Sequence, residues 1–325
     1  MAERGPHSIE CSTDAKGPAG LAFGLMADVS RWPQYFSAVV HTERAKDGSA
    51  EAGAEQDRVT VWALRGGDAV RHWTSRRTVD RAALRIGFEN ETAPPGLDRA
   101  DGEWTFADTA EGTAIGLRHR LTPAEGTPAS EVERLAGEFE AAGRRQLAEL
   151  KAAVERAGEL AELTVEFEDP LFVCGTVEDA YRMLYEADRW PEWLPHVARL
   201  DMTEDVPGIQ FFDMVSVSPD GNEHTTRSVR ICLPHDRIVY KQISLPPLLE
   251  VHTGHWEFSP TPEGLVVSAR HTAVIKAGAL HLLGEGTTVA DARRYLRRVL
   301  GNNSMTNLRL AKAYAEEKTI NGNPA

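Results

Sequence analysis

The segment Trp73-Thr74-Ser75-Arg76-Arg77 places an indole, a hydroxyl and a guanidinium at alternate positions of a strand-like stretch. Period-two alternation sends Trp73, Ser75 and Arg77 to one face and His72, Thr74 and Arg76 to the other. Both faces are polar, so alternation leaves open which one is inside; an exposed strand with two surface arginines fits equally. Ser75 can hydrogen-bond a carbonyl or orient the arginine. His119 shares a strand face with Ile115, Leu117 and Leu121, and His271 shares one with Val267, Ala269 and Ile275. A lone histidine in such company is either a satisfied core residue or an imidazole of lowered pKa fit for enolisation or dehydration. Tyr35 adds a phenolic proton. No nucleophile, base and acid form a triad, so acyl-enzyme chemistry is not expected. Of His252, His255 and His271, the first two stand three apart on a strand and face opposite ways, so no metal site is expected.

These residues recur in a pattern. RWPQYF at 31–36 returns as RWPEWL at 189–194, and GEWTF at 102–106 as GHWEF at 254–258. EGTAIGLRHRLT then falls on EGLVVSARHTAV, setting His119 over His271 and Trp104 over Trp256. A repeat of half the chain is far longer than the roughly 20–50 residues of a solenoid unit, so it marks a duplicated domain. Each half reads as an extended stretch (Ser8–Thr13; Leu163–Phe167), a short helix, the RWP phrase, five or six strand segments and a long closing helix. The closing helices are expected over 129–157 and 286–318. Ser30 or Asp188 is expected to cap a short helix starting at the RWP proline. The domains are therefore 1–157 and 158–325. A bent antiparallel sheet gripping a straight helix predicts a pocket in each half, with Trp32, Tyr35, Phe36, Trp190 and Trp193 lining or closing the mouths.

At 325 residues the chain has room for two cores. With 36 basic against 49 acidic residues, its formal charge of −13 argues against nucleic acid or an anionic membrane as partner. Three cysteines without a CxxC pair suggest neither a disulfide framework nor a zinc site, and a reducing cytoplasm suits them. Neither an export signal nor a membrane span is read in the sequence. Arg293, Arg294, Arg297 and Arg298 occupy adjoining helix turns; most such runs are solvated surface.

The order of elements resembles the helix-grip fold of the START and Bet v 1-like superfamily, and the duplication resembles the didomain aromatase/cyclases of bacterial type II polyketide synthases. Trp73, Ser75 and Arg77 match that family's Trp-x-Ser-x-Arg strand, and the WP phrase matches too. The fold class implied is α+β, with two tandem helix-grip domains. The resemblance implies that Arg77 points into the cavity, polarising ketone oxygens and stabilising enolate charge. It implies an amide on the closing helix, Gln146 and Asn307, holding a carbonyl, and supports His119 and His271 as acid–base groups. The second half departs at Thr225-Thr226-Arg227, which keeps a hydroxyl and an arginine (Thr225, Arg227) and loses the tryptophan.

The expectation is an aromatase/cyclase that folds a ketoreduced poly-β-ketone held on an acyl carrier protein, closes its first ring between carbons 7 and 12, and eliminates water. Residues implied as catalytic are Arg77, Ser75, His119, Tyr35, Arg227 and His271. Those implied as substrate-binding are Trp32, Trp73, Trp104, Gln146, Trp190, Trp193, Thr225, Trp256 and Asn307. The chemistry needs no external cofactor. Partners implied are the acyl carrier protein, docked at the α-helical arginine face or at Arg144–Arg145, and other synthase components. A monomer is the expectation, since duplication could supply internally what pairing supplies in single-domain relatives, with a dimer left open. The first pocket would cyclise and the second dehydrate or support it. A ligand carrier and a surface-based interaction domain are the competing classes.

Overall fold

The computed structural model describes residues 5–46, 54–217, 221 and 223–322. The chain divides into two compact units between Ala157 and Gly158. The first begins with β1 (His7–Ala15) and α1 (Ala19–Ala27), followed by a 3-10 turn (Val29–Arg31) and α2 (Trp32–Tyr35). Six strands come next: β2 (Val39–Lys46), β3 (Glu55–Leu64), β4 (Val70–Asp80), β5 (Arg85–Asn90), β6 (Leu97–Thr109) and β7 (Gly112–Pro123). The unit closes with α3 (Ala129–Glu155). The sheet is one antiparallel ribbon in the order β1-β7-β6-β5-β4-β3-β2.

The second unit repeats the design. After α4 (Ala157–Leu163) come β8 (Thr164–Val173), α5 (Val177–Tyr185), a 3-10 turn (Ala187–Arg189) and α6 (Trp190–Trp193). The strands are β9 (Val197–Val206), β10 (Ile209–Val217), β11 (Glu223–Leu233), β12 (Arg237–Ser244), β13 (Leu249–Thr261) and β14 (Gly264–Ile275), ordered β8-β14-β13-β12-β11-β10-β9. A 3-10 segment (Ala277–Leu283) leads to α7 (Val289–Gly322). Both sheets are thus seven-stranded, the helix-grip arrangement expected. No helix among the described residues is long and apolar enough to cross a membrane.

In each unit the inner sheet face packs on one stripe of the closing helix. In α3 that stripe is Val132, Leu135, Leu147, Leu150 and Val154, the 3.6-residue repeat of a half-buried helix. Both closing helices are also pinned to the end of the first strand. Lys151 Nζ donates to the carbonyl of Asp14 and Glu155 accepts from the Lys16 amide at 3.0 Å; Lys312 donates to the carbonyl of Phe172 at 3.1 Å and Glu316 accepts from the Cys174 amide at 2.9 Å.

The expected caps are not the ones used. Asp28, not Ser30, is the capping side chain, accepting from the Ser30 amide at 3.2 Å and its hydroxyl at 2.6 Å. A 3-10 turn intervenes before Pro33, so the cap sits one turn earlier. Asp188 lies inside the corresponding turn, which has no side-chain cap.

One cross-strand row positions the chemistry in each sheet. In the first, Asp57, Arg77, Phe88, Gly102, His119 and Ile9 stand opposite one another across six strands. In the second the row is Gln210, Arg230, Tyr240, Gly254, His271 and Phe167. The central glycine is forced by its neighbours: a Cβ on Gly102 would lie 2.3 Å from the Arg118 carbonyl oxygen and 2.5 Å from the Phe88 ring, and one on Gly254 would lie 2.2 Å from the Arg270 carbonyl and 2.4 Å from the Tyr240 hydroxyl. The aromatic ring crosses above the glycine to reach the histidine. Gly102→Ala and Gly254→Ala should each lower the unfolding midpoint by roughly 5–10 °C, because the offended backbone oxygen cannot move aside. Gly137→Ala, on an exposed turn of α3 with open space around it, should raise stability by about 1 kcal/mol. Thermal unfolding of the three variants checks both.

Candidate functional site

The Trp73, Ser75, Arg77 face is the inner one, with Ser75 and Arg77 buried and Trp73 half-buried. Arg77 spends its donors on the protein. Its Nε and one Nη clamp Asp57 at 2.8 and 2.7 Å, and its two Nη groups donate to the carbonyls of Met26 and Ala27 at 3.3 and 3.2 Å. Four of the five N–H groups of a guanidinium are thereby engaged. Those carbonyls belong to the last turn of α1, where they lack helical partners and where the helix dipole favours a cation. Burial alone would raise the pKa of Asp57, but the hydrogen bonds and charge of Arg77, then Arg44, hold it below the usual carboxylate range. Trp32 stacks at 5.9 Å from the Arg77 guanidinium and donates its indole N–H to the Met26 carbonyl at 3.3 Å. Ser75 donates to Asn90 at 2.8 Å.

The second unit holds the same knot on a different arginine. Arg230, fully buried, donates to Gln210 through Nε at 3.0 Å and to the carbonyls of Leu184 and Tyr185 at 2.8 and 2.6 Å. Its guanidinium lies 5.4 Å from the Trp190 ring, whose N–H donates to the Met183 carbonyl at 3.3 Å. Arg230, not Arg227, is therefore the counterpart of Arg77, and Thr226, Ser228 and Arg230 replace Trp73, Ser75 and Arg77. The sequence pairing with Thr225 and Arg227 matched residue types but slipped the register by three. Thr225 is exposed, and Arg227 is paired with Asp213. The buried partner of Arg230 is a neutral amide, with Glu204 one bond further, hydrogen-bonded to Gln210 at 2.7 Å; burial lowers the pKa of Arg230.

His119 stands at the half-open part of the first inner face. Its ring meets Phe88 at 5.5 Å and Phe139 of α3 at 5.2 Å, both edge-on. The Cα of Gly143 passes close by, where a Cβ would lie 3.8 Å from His119 Nε2. Burial lowers the histidine's pKa to about 4. Trp73, Phe88, Asn90, Phe139 and Gln146 are also half-buried, so the concave face here is not sealed. Arg71, two positions before Trp73 on the same face, is exposed and lies over the indole at 4.8 Å. Sequence reading passed over Arg71, although the alternation that selected Trp73 and Arg77 also selects it.

In the second unit the matching histidine is part of a buried polar cluster. Tyr240 Oη lies 2.7 Å from His271 Nδ1, which lies 3.2 Å from His252 Nε2; His252 Nδ1 lies 2.9 Å from Gln242 Oε1. His271 stacks on Phe167 at 4.9 Å. Burial lowers the pKa of His271 to about 4, helped by the charge of Arg297, and burial plus the neighbouring His271 lowers that of His252 to about 3. His255 faces the other side of β13, near Glu257. Sequence reading considered His252 only as a metal ligand; the repeat itself held the clue, since Gly102 over Gly254 places Ala100 under His252 and Phe88 under Tyr240.

The remaining candidates are spread between core and rim. Trp104 and Trp256 are buried on the inner faces. Tyr35 and Trp193 lie under Arg31 at 5.5 Å and Arg189 at 4.5 Å. Gln146 and Asn307 face their sheets from the closing helices, the latter buried. The helical arginine face is largely committed: Arg294 pairs with Asp291, Arg297 with Asp169, and Arg293 donates to the carbonyls of Glu162 and Thr164. Arg144 pairs with Glu140.

Two helix-grip units, each with a buried arginine and a histidine in one cross-strand row, define a tandem helix-grip protein. Residues 6–155 and 173–300 match two family profiles, both described as polyketide cyclase/dehydrase and lipid transport. The chain is 38% identical over 314 residues to the granaticin polyketide synthase bifunctional cyclase/dehydratase of Streptomyces violaceoruber, covering 95% of this chain and 94% of that one. It is 37% identical over 326 residues to the actinorhodin polyketide synthase bifunctional cyclase/dehydratase of Streptomyces coelicolor, covering 97% and 99%. The crystal structure of the di-domain ARO/CYC StfQ from the steffimycin biosynthetic pathway superposes with a TM-score of 0.83 at 50% identity, covering 96% of this chain and 99% of that chain. The di-domain ARO/CYC BexL gives 0.83 at 34% identity, covering 95% and 99%. The chain belongs to the polyketide cyclase/dehydratase family and is a didomain polyketide aromatase/cyclase.

His119, His252 and His271 all have folded pKa values below the ordinary histidine value of 6.5. Between pH 6.5 and about 4 the unfolded chain therefore binds protons that the folded chain refuses, so stability is complete above pH 6.5 and falls as pH drops through that window. The unfolding midpoint should decline from pH 7 to pH 4.5, and His119→Phe should flatten part of that slope in scans across the range.

Proposed function

We propose that the enzyme accepts a poly-β-ketone, already reduced once, on an acyl carrier protein, closes the first ring between carbons 7 and 12 by intramolecular aldol condensation, and eliminates water toward an aromatic ring. The observation that carries this reading is His119: a neutral imidazole at a half-buried place on the inner face, walled by Phe88 and Phe139. A neutral imidazole can take a proton from the carbon between two ketones, and flat aromatic walls favour a folded chain over an extended one. Arg71, over the Trp73 indole at 4.8 Å, supplies the cation that polarises the accepting ketone. Arg77 acts one step back. Its donors hold α1 against β3 and β4 and so fix the wall that carries Ser75 and Trp73. Gln146, one turn beyond Gly143 on α3, would hold a carbonyl, and Tyr35 and Trp193 are the aromatic candidates for the entries, since Trp32 and Trp190 cover the buried arginines.

The carrier protein would meet the enzyme in the cytoplasm, as a partner whose acidic surface suits the rim arginines near the first opening, Arg71 and Arg145. The decisive measurement is the product profile, by liquid chromatography and mass spectrometry, of a minimal polyketide synthase plus ketoreductase with and without this enzyme. The expected result is a new product lighter than the shunt compound by one water, with aromatic absorbance. His119→Leu and Arg71→Ala should each cut its yield by about 100-fold. An unchanged profile across several chain lengths would overturn the reading in favour of a ligand carrier.

A further inference from the structure

Buried polar atoms left without partners concentrate in the second unit. Among the described residues, Thr226 Oγ1, Trp256 Nε1, His271 Nε2 and Asn307 Oδ1 are buried and unpaired there. All four belong to residues at least nine-tenths buried: Thr226 5%, Trp256 7%, His271 6% and Asn307 7% exposed. All four come from surfaces that face each other. Thr226, Trp256 and His271 are on the inner face of β11, β13 and β14, and Asn307 is on the stripe of α7 that carries Leu308 and Ala311. Native interiors rarely leave such atoms unsatisfied. Two donors, an acceptor and an imidazole edge on the inner sheet face and the closing helix would be satisfied by a ligand bearing hydroxyl and carbonyl groups.

The cluster beneath them sets the imidazole's chemistry. Gln242 Oε1 can only accept, so His252 carries its proton on Nδ1 and presents a lone pair at Nε2. That lone pair faces His271 Nδ1 at 3.2 Å, and a proton on His271 Nδ1 satisfies it. In that tautomer Tyr240 Oη, 2.7 Å from the same Nδ1, accepts from it and turns its own proton toward His252 Nε2 at 3.4 Å. His271 Nε2, on the opposite edge of the ring, then holds a free lone pair, and burial keeps the ring neutral at pH 7. The first unit has the same histidine without the chain: Phe88 stands for Tyr240, Ala100 for His252 and Asn90 for Gln242.

We propose that the second unit is a separate acid–base site for the water elimination, with His271 as its catalytic residue and His252, Tyr240 and Gln242 as positioning residues. The proposal rests on the cyclase/dehydratase reading above. His271 Nε2 takes the proton from the carbon between the ketone and the carbinol of the cyclised intermediate, and the C–H electrons move into the enolate. As the ketone re-forms, those electrons become the new C=C bond and the C–O bond breaks. The departing hydroxide takes the proton that His271 holds. One water leaves, no atom is oxidised or reduced overall beyond the elimination, and His271 is restored. Trp256 N–H and the Thr226 hydroxyl are the donors for the enolate oxygen.

The test uses the full chain in the same synthase system. With His271→Phe, whose ring can still stack on Phe167, the cyclised product heavier by one water should accumulate and the dehydrated fraction fall by about 100-fold. Tyr240→Phe and His252→Ala install the first unit's own residues, so the fold has a precedent for both; each should slow dehydration by about tenfold. In ¹⁵N spectra of the resting enzyme, His271 should carry its proton on Nδ1, and His252→Ala should shift population to Nε2, a change that a merely structural role would not produce. A normal dehydrated yield from folded His271→Phe, or loss of ring closure together with dehydration, overturns the second site while leaving the family activity standing. No cyclised product from the unaltered enzyme overturns the underlying reading and this proposal with it.

Discussion

A guanidinium buried under the first helix is what the rest of each unit is built around. In the first unit Arg77 joins three things that otherwise have no reason to meet: the frayed carbonyls ending α1, the carboxylate of Asp57 on β3, and the indole of Trp32. Removing one partner of such a pair leaves a buried charge uncompensated, which typically costs about 3–5 kcal/mol. The knot also explains the RWP phrase. The tryptophan donates to a carbonyl of the same helix end and covers the arginine, while the proline starts the next turn without needing a backbone donor.

The second unit makes the same knot with an amide in place of the acid. The charge of Arg230 is then spread over Gln210, two carbonyls and the faces of Trp190 and Phe212. Keeping a cation there without a direct carboxylate indicates that its geometric work, tying helix to sheet, is what the position requires. Charge need not reach the substrate from this row. In both units the histidine proposed to take the proton lies further along the row, past the glycine.

Much of this was legible in the sequence. The duplicated phrases revealed two units, and the glycine, tryptophan and histidine of the GEWTF and GHWEF regions aligned strands that do pair in register. Which face of the WTSRR strand is inner was not legible, because a buried ion pair makes the inside as polar as the outside. The slip from Arg230 to Arg227 has the same root. Alternation reports faces, and residue type reports chemistry, but neither reports register when a strand carries arginines at both 227 and 230. Tyr240 was invisible for another reason: its hydroxyl matters only because Gly254 lets the ring cross a strand, a relation that needs three strands in place.

The row's glycine has a consequence for how such an enzyme changes over generations. Because the backbone path over Gly102 and Gly254 is fixed while the ring that crosses it can be Phe or Tyr, the chemistry at the histidine can be altered by one phenolic oxygen without touching strand pairing, helix grip or the arginine knot. Duplication then lets one copy try such changes while its twin keeps the original pocket in service. The scaffold separates the residues that must stay for the protein to exist from those that can be exchanged for it to do something new.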